Sequence, residues 1–257
     1  MSTFGWIIAA TTFGGVLSAL VAGLFLLLPE GRRTAALPHL ISFATGALLG
    51  AALLKLLPRA IEGAGLSNAH VVGLSLVGGI FAFFVLEKFV LWRHCHVADC
   101  DTHAPQPDPR DRASGVLILA GDAIHNALDG VLIAAAFLTD VRLGLVTTVA
   151  VIAHEIPQEV GDFAILLHSG MSRARAFALN LLTSLTSVVG GVIAYFALGQ
   201  AMQLLPYALA VAAASFLYVA VADLIPGLHR RVEPLASLQQ IALIAVGIAV
   251  IVLTDPH

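Results

Sequence analysis

The chain has 257 residues, of which 59% are hydrophobic and 11% are charged, and its formal net charge is −3. An average soluble domain is about a quarter charged, so a chain this apolar cannot cover a soluble core with polar surface. These values exclude a soluble enzyme and a disordered protein, and the lack of excess basic residues excludes a nucleic-acid partner. The composition favours a polytopic membrane protein that contacts the lipid bilayer.

Eight apolar stretches are long enough for membrane-spanning helices, each of which needs about 20 mostly apolar residues. In chain order, the predicted spans are 5–28, 39–58, 70–91, 114–138, 144–168, 176–199, 205–226 and 236–254. Gly and Ala are abundant inside them, and small residues allow membrane helices to approach closely. We therefore expect an all-α membrane protein built as a bundle of eight transmembrane helices.

The distribution of Lys and Arg predicts how these helices are oriented, because cytoplasmic segments are enriched in both. With an extracytoplasmic N-terminus, ten of the thirteen basic residues fall in or near cytoplasmic segments. These ten are Arg32, Arg33, Lys88, Arg93, Arg110, Arg112, Arg173, Arg175, Arg230 and Arg231. Both termini are therefore predicted to be extracytoplasmic, and the expected location is the cytoplasmic (inner) membrane.

One segment, residues 92–113, is polar, contains three prolines and lacks helical periodicity, which predicts a flexible cytoplasmic loop. It separates the first three spans (1–91) from the last five (114–257). The segment carries metal-binding residue types at His94, Cys95, His96, Cys100 and His103. These residues could collect metal, or they could be incidental in a solvated linker, since their spacing fits no rigid zinc motif.

Two adjacent spans carry polar side chains deep in the membrane, where such groups are costly and typical of functional sites. The fourth span contains GDAIHNALDGV (121–131). Its polar residues recur every three or four positions and so share one helix face; they are Asp122, His125, Asn126 and Asp129.

The fifth span contains VIAHEIPQEVGDF (151–163), whose polar residues form two neighbouring stripes. They are His154, Glu155, Gln158, Glu159 and Asp162. Pro157 predicts a kink that frees a backbone carbonyl, as at the binding sites of membrane transporters. In the sixth span, Asn180 and Ser184 could supply oxygen ligands, although most such residues tie helices together.

Imidazole combined with carboxylate suits Zn²⁺ and other divalent first-row metals. The candidate ligands are His125, Asn126, Asp129, His154, Glu155, Gln158 and Glu159. Their number exceeds the four of a simple zinc site, which favours two ions bridged by carboxylates. A hydrogen-bonded polar network is the alternative, but no Lys or Arg lies at that depth to neutralise the carboxylates. Asp122 and Asp162 are further candidates for an exit path or a secondary metal site.

HNALDG (125–130) followed by HEIPQEVGDFAILL (154–167) resembles the paired signature of the ZIP (Zrt/Irt-like protein) metal transporters. That signature is H-N-x-x-[DE]-G in one span and H-E-x-P-[HQ]-E-x-G-D in the next. GALLGAALLKLLPRAIE (46–62) and FLYVAVADLIPGL (216–228) are similar to the family's second and seventh spans. The resemblance implies the ZIP-type bundle of eight helices with both termini outside. It also implies transport of Zn²⁺, Cd²⁺, Fe²⁺ or Mn²⁺ into the cytoplasm.

On the family pattern, two metal ions lie between the fourth and fifth spans. The transported ion would be held by His125, Asp129, His154, Glu155 and Gln158, and a second ion by Asn126, Asp129, Glu155 and Glu159. Zn²⁺ is the expected ion, Cd²⁺ could substitute, and a homodimer is a candidate assembly because many members are dimers.

Two departures from the family pattern bear on the expected site. Gln158 stands where many relatives have His, and a neutral amide is a weaker ligand. Lys55 also stands where many relatives have His, and a cation there cannot bind metal. We expect the Lys55 side chain to extend outward.

Two other functions compete with metal uptake. An intramembrane zinc metalloprotease would use an HExxH motif, but HEIPQ (154–158) lacks the second His and contains Pro157. A metal exporter could use His125 and Asp129 as an H-x-x-x-D pair, but such exporters usually have fewer spans and a soluble domain, which we do not expect here. Neither alternative explains both motifs, so we expect a transporter and not an enzyme.

Overall fold

The computed structural model describes residues 1–95, 109–168, 170–229 and 233–253. Within these ranges the chain is helical, with no strand. The α-helices are α1 (Thr3–Phe25), α2 (Glu30–Ala51), α3 (Leu57–Ala64), α4 (Ala69–Cys95), α5 (Pro109–Thr139), α6 (Val141–His168), α7 (Arg173–Ser184), α8 (Thr186–Gln200), α9 (Leu205–Tyr218), α10 (Ile225–Leu228) and α11 (Pro234–Leu253). Two π-helical stretches, Ala52–Leu56 and Val219–Leu224, join α2 to α3 and α9 to α10.

Seven helical stretches of the described chain are long and apolar enough to cross a membrane. They are Thr3–Phe25, Ala35–Ala64, Leu66–Leu86, Leu119–Thr139, Arg173–Gln200, Met202–Leu228 and Pro234–Leu253. Helix α6 has 28 residues and is also long enough, but Glu155, Glu159 and Asp162 reduce its apolar character. The predicted all-α chain is thus confirmed with seven to eight potential spans, and the sidedness of its termini stays a prediction.

Local sequence signals set several helix ends. The Ser2 hydroxyl accepts a hydrogen bond from the Gly5 N–H at 3.1 Å and caps α1. Ser172 caps α7 in the same way. After α3 the backbone reaches φ +79° at Gly65, a conformation that glycine adopts without steric cost. These local signals determine where helices begin and end, and tertiary contacts then pack the helices against one another.

Both π-helical stretches end two residues before a proline, Pro58 in K-L-L-P and Pro226 in D-L-I-P. Proline lacks the N–H that would continue the regular ladder, and a widened turn is one way to accommodate this loss. The first stretch contains Lys55, which is only 7% exposed. The expectation that Lys55 extends outward is therefore wrong. The extra residue in the π-turn rotates the side chains relative to a regular helix, and a simple helical wheel misplaces them.

The segment 92–113 is helical at both ends, because α4 continues to Cys95 and α5 begins at Pro109. Residues 96–108 lie outside the described part of the chain. Helix α6 runs through Pro157 as one element. The sixth predicted span is divided into α7 and α8 at Leu185.

The helices pack as two groups. The site group consists of α1 and α5–α8, and the frame group consists of α2–α4 and α9–α11. Glycines allow close approach inside each group: a Cβ at Gly130 would overlap the Ser187 carbonyl oxygen, and one at Gly46 would overlap the Ile244 carbonyl oxygen. Glycine at these positions lets the backbones of neighbouring helices come into contact, so each group is closely packed.

The groups meet mainly where α6 packs on α2 and where α5 packs on α9. Beside the contact between α2 and α6 lies a partly open gap of about 240 Å³. Its lining is entirely apolar and consists of Leu40, Phe43, Val149, Ile152, Ala153 and Ile156. This contact between the groups therefore includes an incompletely filled apolar surface.

Candidate metal centre

Four side chains from α5 and α6 converge inside the site group. One ligand atom from each of His125, Asp129, His154 and Glu155 lies within 4.8 Å of the others. On α5 the i, i+4 spacing puts His125 and Asp129 on one face, and on α6 the neighbouring His154 and Glu155 both reach that face. The site therefore comes from two short motifs on two packed helices.

The separations between these atoms match those around a small tetrahedral metal ion. His154 Nε2 lies 3.1 Å from Asp129 Oδ2, and His125 Nε2 lies 3.2 Å from His154 Nε2. Glu155 Oε1 lies 3.5 Å from His125 Nε2 and 3.8 Å from His154 Nε2. His125 Nε2 lies 3.9 Å from Asp129 Oδ2. Ligands bound at about 2.1 Å around tetrahedral Zn²⁺ are about 3.4 Å apart. The four groups are therefore spaced as zinc ligands are.

The orientation of His154 supports the same interpretation. Its Nδ1 lies 3.1 Å from the Ala150 carbonyl oxygen, which can only accept a hydrogen bond. The neutral ring therefore carries its proton on Nδ1 and turns the lone pair of Nε2 toward Asp129. A histidine held in this way by its second nitrogen is typical of metal ligands.

Buried oxygen atoms in this cluster lack hydrogen-bond donors. Asp129 Oδ2 and both carboxylate oxygens of Glu155 have no hydrogen-bond partner among the described residues. Asp129, His154 and Glu155 are at most 2% exposed, whereas the His125 side chain is 20% exposed. Carboxylates buried without donors are costly, and a bound cation would remove that cost. His125 is therefore the most exposed of the four ligand-type side chains.

The three remaining predicted ligands have contacts of their own with neighbouring polar side chains. The Asn126 side-chain amide donates to Asp122 Oδ1 at 2.9 Å. Glu159 accepts hydrogen bonds from the Asn180 amide and from Ser184 Oγ, both on α7. Gln158 is half-buried and lies beside Asp122, and Asp162 is half-buried on the next turn of α6.

Sequence reasoning gave too little weight to α7. Asn180 and Ser184 are fully buried and hold Glu159, so they shape the surroundings of the centre. Their signal in the sequence is an amide and a hydroxyl four residues apart in an apolar span. In the segment after α4, the candidates His96 and His103 lie outside the described residues, and at His94 only the backbone is described.

Comparisons with known proteins identify sequences that this chain is similar to. The family model for the ZIP zinc transporter matches residues 93–255. Zinc transporter ZIP13 of Pongo abelii is 36% identical over 233 residues, which cover 84% of this chain and 66% of that protein. ZIP13 of Homo sapiens is 34% identical over 263 residues, with 84% and 70% covered. Zinc transporter SLC39A7 of Mus musculus is 33% identical over 306 residues, with 86% and 63% covered.

The chain spans about two thirds of the length of these relatives. The family model matches more than half of the chain, and its motifs lie where the four ligand-type side chains meet. The apolar helices of the chain are those of a multi-pass membrane protein. The chain belongs to the ZIP zinc transporter family.

Proposed function

We propose that this protein carries Zn²⁺ across the cytoplasmic membrane into the cytoplasm, with the centre of His125, Asp129, His154 and Glu155 as the transport site. The observation that carries the proposal is the convergence of four ligand atoms, which all lie within 4.8 Å of one another and have five separations between 3.1 and 3.9 Å. The zinc transporters named among the relatives support the choice of ion.

The charge of the centre fits a divalent cargo. Two carboxylates balance the two positive charges of Zn²⁺, so the loaded centre is neutral inside an apolar bundle. The ion exchanges its hydration shell for two imidazoles and two carboxylates. None of these ligands is a thiolate, so binding is weak enough for release to water and protons on the other side.

The geometry supports one ion at this centre. A second ion held by Asn126, Asp129, Glu155 and Glu159 stays a prediction, since Asn126 and Glu159 make other hydrogen bonds. Gln158 as an additional ligand stays a prediction as well. The same holds for Asp122 and Asp162 as exit-path ligands, for metal binding by His94, His96 and His103, and for a homodimer.

The two helix groups suggest how the ion moves. The site group carries the whole centre, and the gap where it meets α2 of the frame group is lined only by apolar side chains. Sliding at such a surface breaks no hydrogen bonds between its lining residues. We infer that the site group shifts against the frame group and exposes the centre to each side in turn.

The geometry favours a carrier over a protease. A catalytic zinc ion keeps an open coordination position for water, and the Glu of HExxH acts as a base rather than as a ligand. Here four protein groups surround the centre, and Glu155 is one of them. The exporter alternative has the His125 and Asp129 pair but gives no role to His154 and Glu155.

The decisive test is ion uptake into proteoliposomes that contain the full chain, with Zn²⁺, Cd²⁺, Fe²⁺ and Mn²⁺ in competition. We expect Zn²⁺ and Cd²⁺ to compete best. His154→Ala and Glu155→Ala should reduce Zn²⁺ uptake by on the order of 100-fold, since even groups that only orient ligands contribute about 10- to 100-fold.

His39→Ala is the matched control, because His39 is exposed on α2 and its ring nitrogen bonds the Ala35 carbonyl of its own helix. It should retain wild-type uptake. Uptake at the wild-type rate in both His154→Ala and Glu155→Ala would remove the site assignment. Cleavage of a membrane substrate by the purified protein would instead support the intramembrane zinc metalloprotease.

A further inference from the structure

A cavity of about 460 Å³ lies at one end of the site group, where the end of α1, the end of α6 and the start of α7 meet. Ten of the described residues line it, and all are apolar except Arg173, the first residue of α7. We propose that this cavity binds one anionic phospholipid, with an acyl chain between the helices and the headgroup phosphate at Arg173. We call the cavity the lipid pocket. Its described lining shares no residue with the four-residue metal centre.

The walls of the lipid pocket suit an acyl chain. Phe163 on α6 and Phe177 on α7 both line it, and their ring centroids are 6.4 Å apart. Leu24 and Leu27 also line it and are 64% and 69% exposed, so the pocket is partly open at the outer surface of the helices. Ligand pockets in proteins are typically about 300–1,000 Å³ and mostly apolar. At the surface of a membrane-spanning bundle, such an opening is accessible to the chains of lipids.

Arg173 determines which class of lipid fits. Its side chain is exposed, and no acidic side chain among the described residues forms an ion pair with it. A guanidinium group binds a phosphate through two parallel hydrogen bonds. The described lining carries this one charge, which is positive. A zwitterionic headgroup would bring its own cation close to Arg173, so we expect a headgroup with a net negative charge to bind more tightly.

Further basic residues lie near the same end of the site group. Arg175 is exposed two residues after Arg173, and Arg32 is exposed five residues after Leu27. On the predicted orientation these residues are cytoplasmic, and the cytoplasmic leaflet carries a negative surface potential from its anionic lipids. A phospholipid in that leaflet can therefore place its headgroup near the basic residues while its chains stay in the bilayer.

A second copy of this chain fits the lipid pocket less well than a phospholipid does. A symmetric contact at this surface would bring Arg173 of both copies into one apolar interface, where like charges without counter-charges are costly. The phosphate of a lipid supplies the opposite charge, and its acyl chain supplies the apolar contact.

Native mass spectrometry of the purified full chain in detergent tests the proposal, with phosphatidylglycerol and phosphatidylcholine of identical acyl chains as the probes. We expect one phosphatidylglycerol to bind the wild-type chain at least tenfold more tightly than phosphatidylcholine. Arg173→Gln should remove this preference, and Arg173→Lys should retain most of it because the charge stays. Arg142→Gln is the matched control, since Arg142 is exposed near the opposite end of α6. It should bind both lipids as the wild type does.

A second variant tests the place of the acyl chain. Ala174→Trp puts a large side chain into the lining of the pocket and should weaken the binding of both lipids at least tenfold. Ala178→Trp is its control, because Ala178 is exposed one turn later on α7 and is not among the described lining residues. His154→Ala should bind phosphatidylglycerol as the wild type does while it loses Zn²⁺ binding, so the lipid pocket and the proposed transport site fail separately.

Three results would overturn the proposal. Equal affinity of the wild-type chain for the two lipids would mean that this surface does not select a headgroup. Unchanged phosphatidylglycerol affinity in both Arg173→Gln and Ala174→Trp would place the bound lipid elsewhere on the protein. Displacement of bound phosphatidylglycerol by equimolar oleate would assign the pocket to a free fatty acid instead of a phospholipid.

Discussion

The site group and the frame group are both built from largely apolar helices but differ in what they bury. The site group buries five ionisable side chains on α5 and α6, namely Asp122, Asp129, His154, Glu155 and Glu159. In the described part of the frame group, Lys55 is the buried ionisable side chain. Frame helices α4 and α11 are instead mostly exposed, as helices that face lipid are.

This difference shows how an apolar chain can carry a charged site. The buried carboxylates lie where helices approach closely, and Gly130 directly follows Asp129 at the contact of α5 with α8. Close packing positions the ligands, and in the proposed transport the apolar lining of the gap at α2 and α6 would let the two groups move as bodies. Rigidity within a group and a smooth surface between groups are two requirements of the proposed transport.

The largest expected effect comes from filling close helix contacts in each group. Gly130→Ala and Gly46→Ala each place a Cβ against a backbone carbonyl and should destabilise the protein by about 1–3 kcal/mol. Only Gly130→Ala should also weaken Zn²⁺ binding by the folded protein, because it shifts Asp129. Thermal melting and Zn²⁺ titration measure the two effects.

Gly199→Ala is the control for these variants, since a Cβ at Gly199 meets no atom within 4 Å. It should leave both the melting temperature and the Zn²⁺ affinity unchanged. Equal losses of Zn²⁺ affinity in Gly130→Ala and Gly46→Ala would contradict the assignment of the centre to the site group alone.

A bulky residue in the gap between the groups should have the next largest effect. Val149→Phe partly fills the space next to Leu40 and Phe43, and we expect Zn²⁺ uptake to fall about tenfold, a barrier increase of about 1.4 kcal/mol. Zn²⁺ affinity and melting temperature should stay close to wild type, because the centre itself is unchanged. Proteoliposome uptake and Zn²⁺ titration measure the two effects.

Val189→Phe is the matched control for this variant, since Val189 is 56% exposed on α8. It should not affect uptake. Wild-type uptake by Val149→Phe would refute the proposed movement of the site group against the frame group.

The smallest expected effect is that of pH. Metal ligands must be deprotonated, and imidazole titrates near pH 6.5 in water, so protons compete with Zn²⁺ for His125 and His154 as the pH falls. Uptake should be several-fold lower at about pH 5.5 than at about pH 7.5.

The matched variant for the pH series is His39→Ala combined with His70→Ala, because both histidines are exposed in the frame group. It should have the wild-type pH profile. Uptake that does not change over this range would count against imidazole ligands at the transport site.

Much of the centre could be predicted from spacing alone. An i, i+4 pair such as His125 and Asp129 shares a face on any regular helix, and two adjacent spans with such pairs can meet in a bundle. The position of Glu159 could not be predicted in this way. Glu159 and Glu155 are also four residues apart, but Glu159 reaches α7, and the packing of a third helix is not encoded in the spacing along α6.

Lys55 shows a second limit of the same reasoning. A helical wheel assumes a regular rotation per residue, and the π-helical turn at Ala52–Leu56 adds a residue that changes which side chains point inward. The sequence signals the irregularity only through Pro58, and it does not indicate whether the chain responds with a kink, as expected at Pro157, or with a widened turn.

By itself, the sequence determined the membrane class, the helical fold, the family resemblance and the two motifs that form the centre. These features depend on composition and on local periodicity, which the chain carries at every stage of folding. Only the tertiary structure decided that four of the seven predicted ligands meet at one point and that Asn126 and Glu159 bond elsewhere. It also decided that the helices form two groups. Such contacts join residues far apart in the chain, and close packing between helix surfaces selects them.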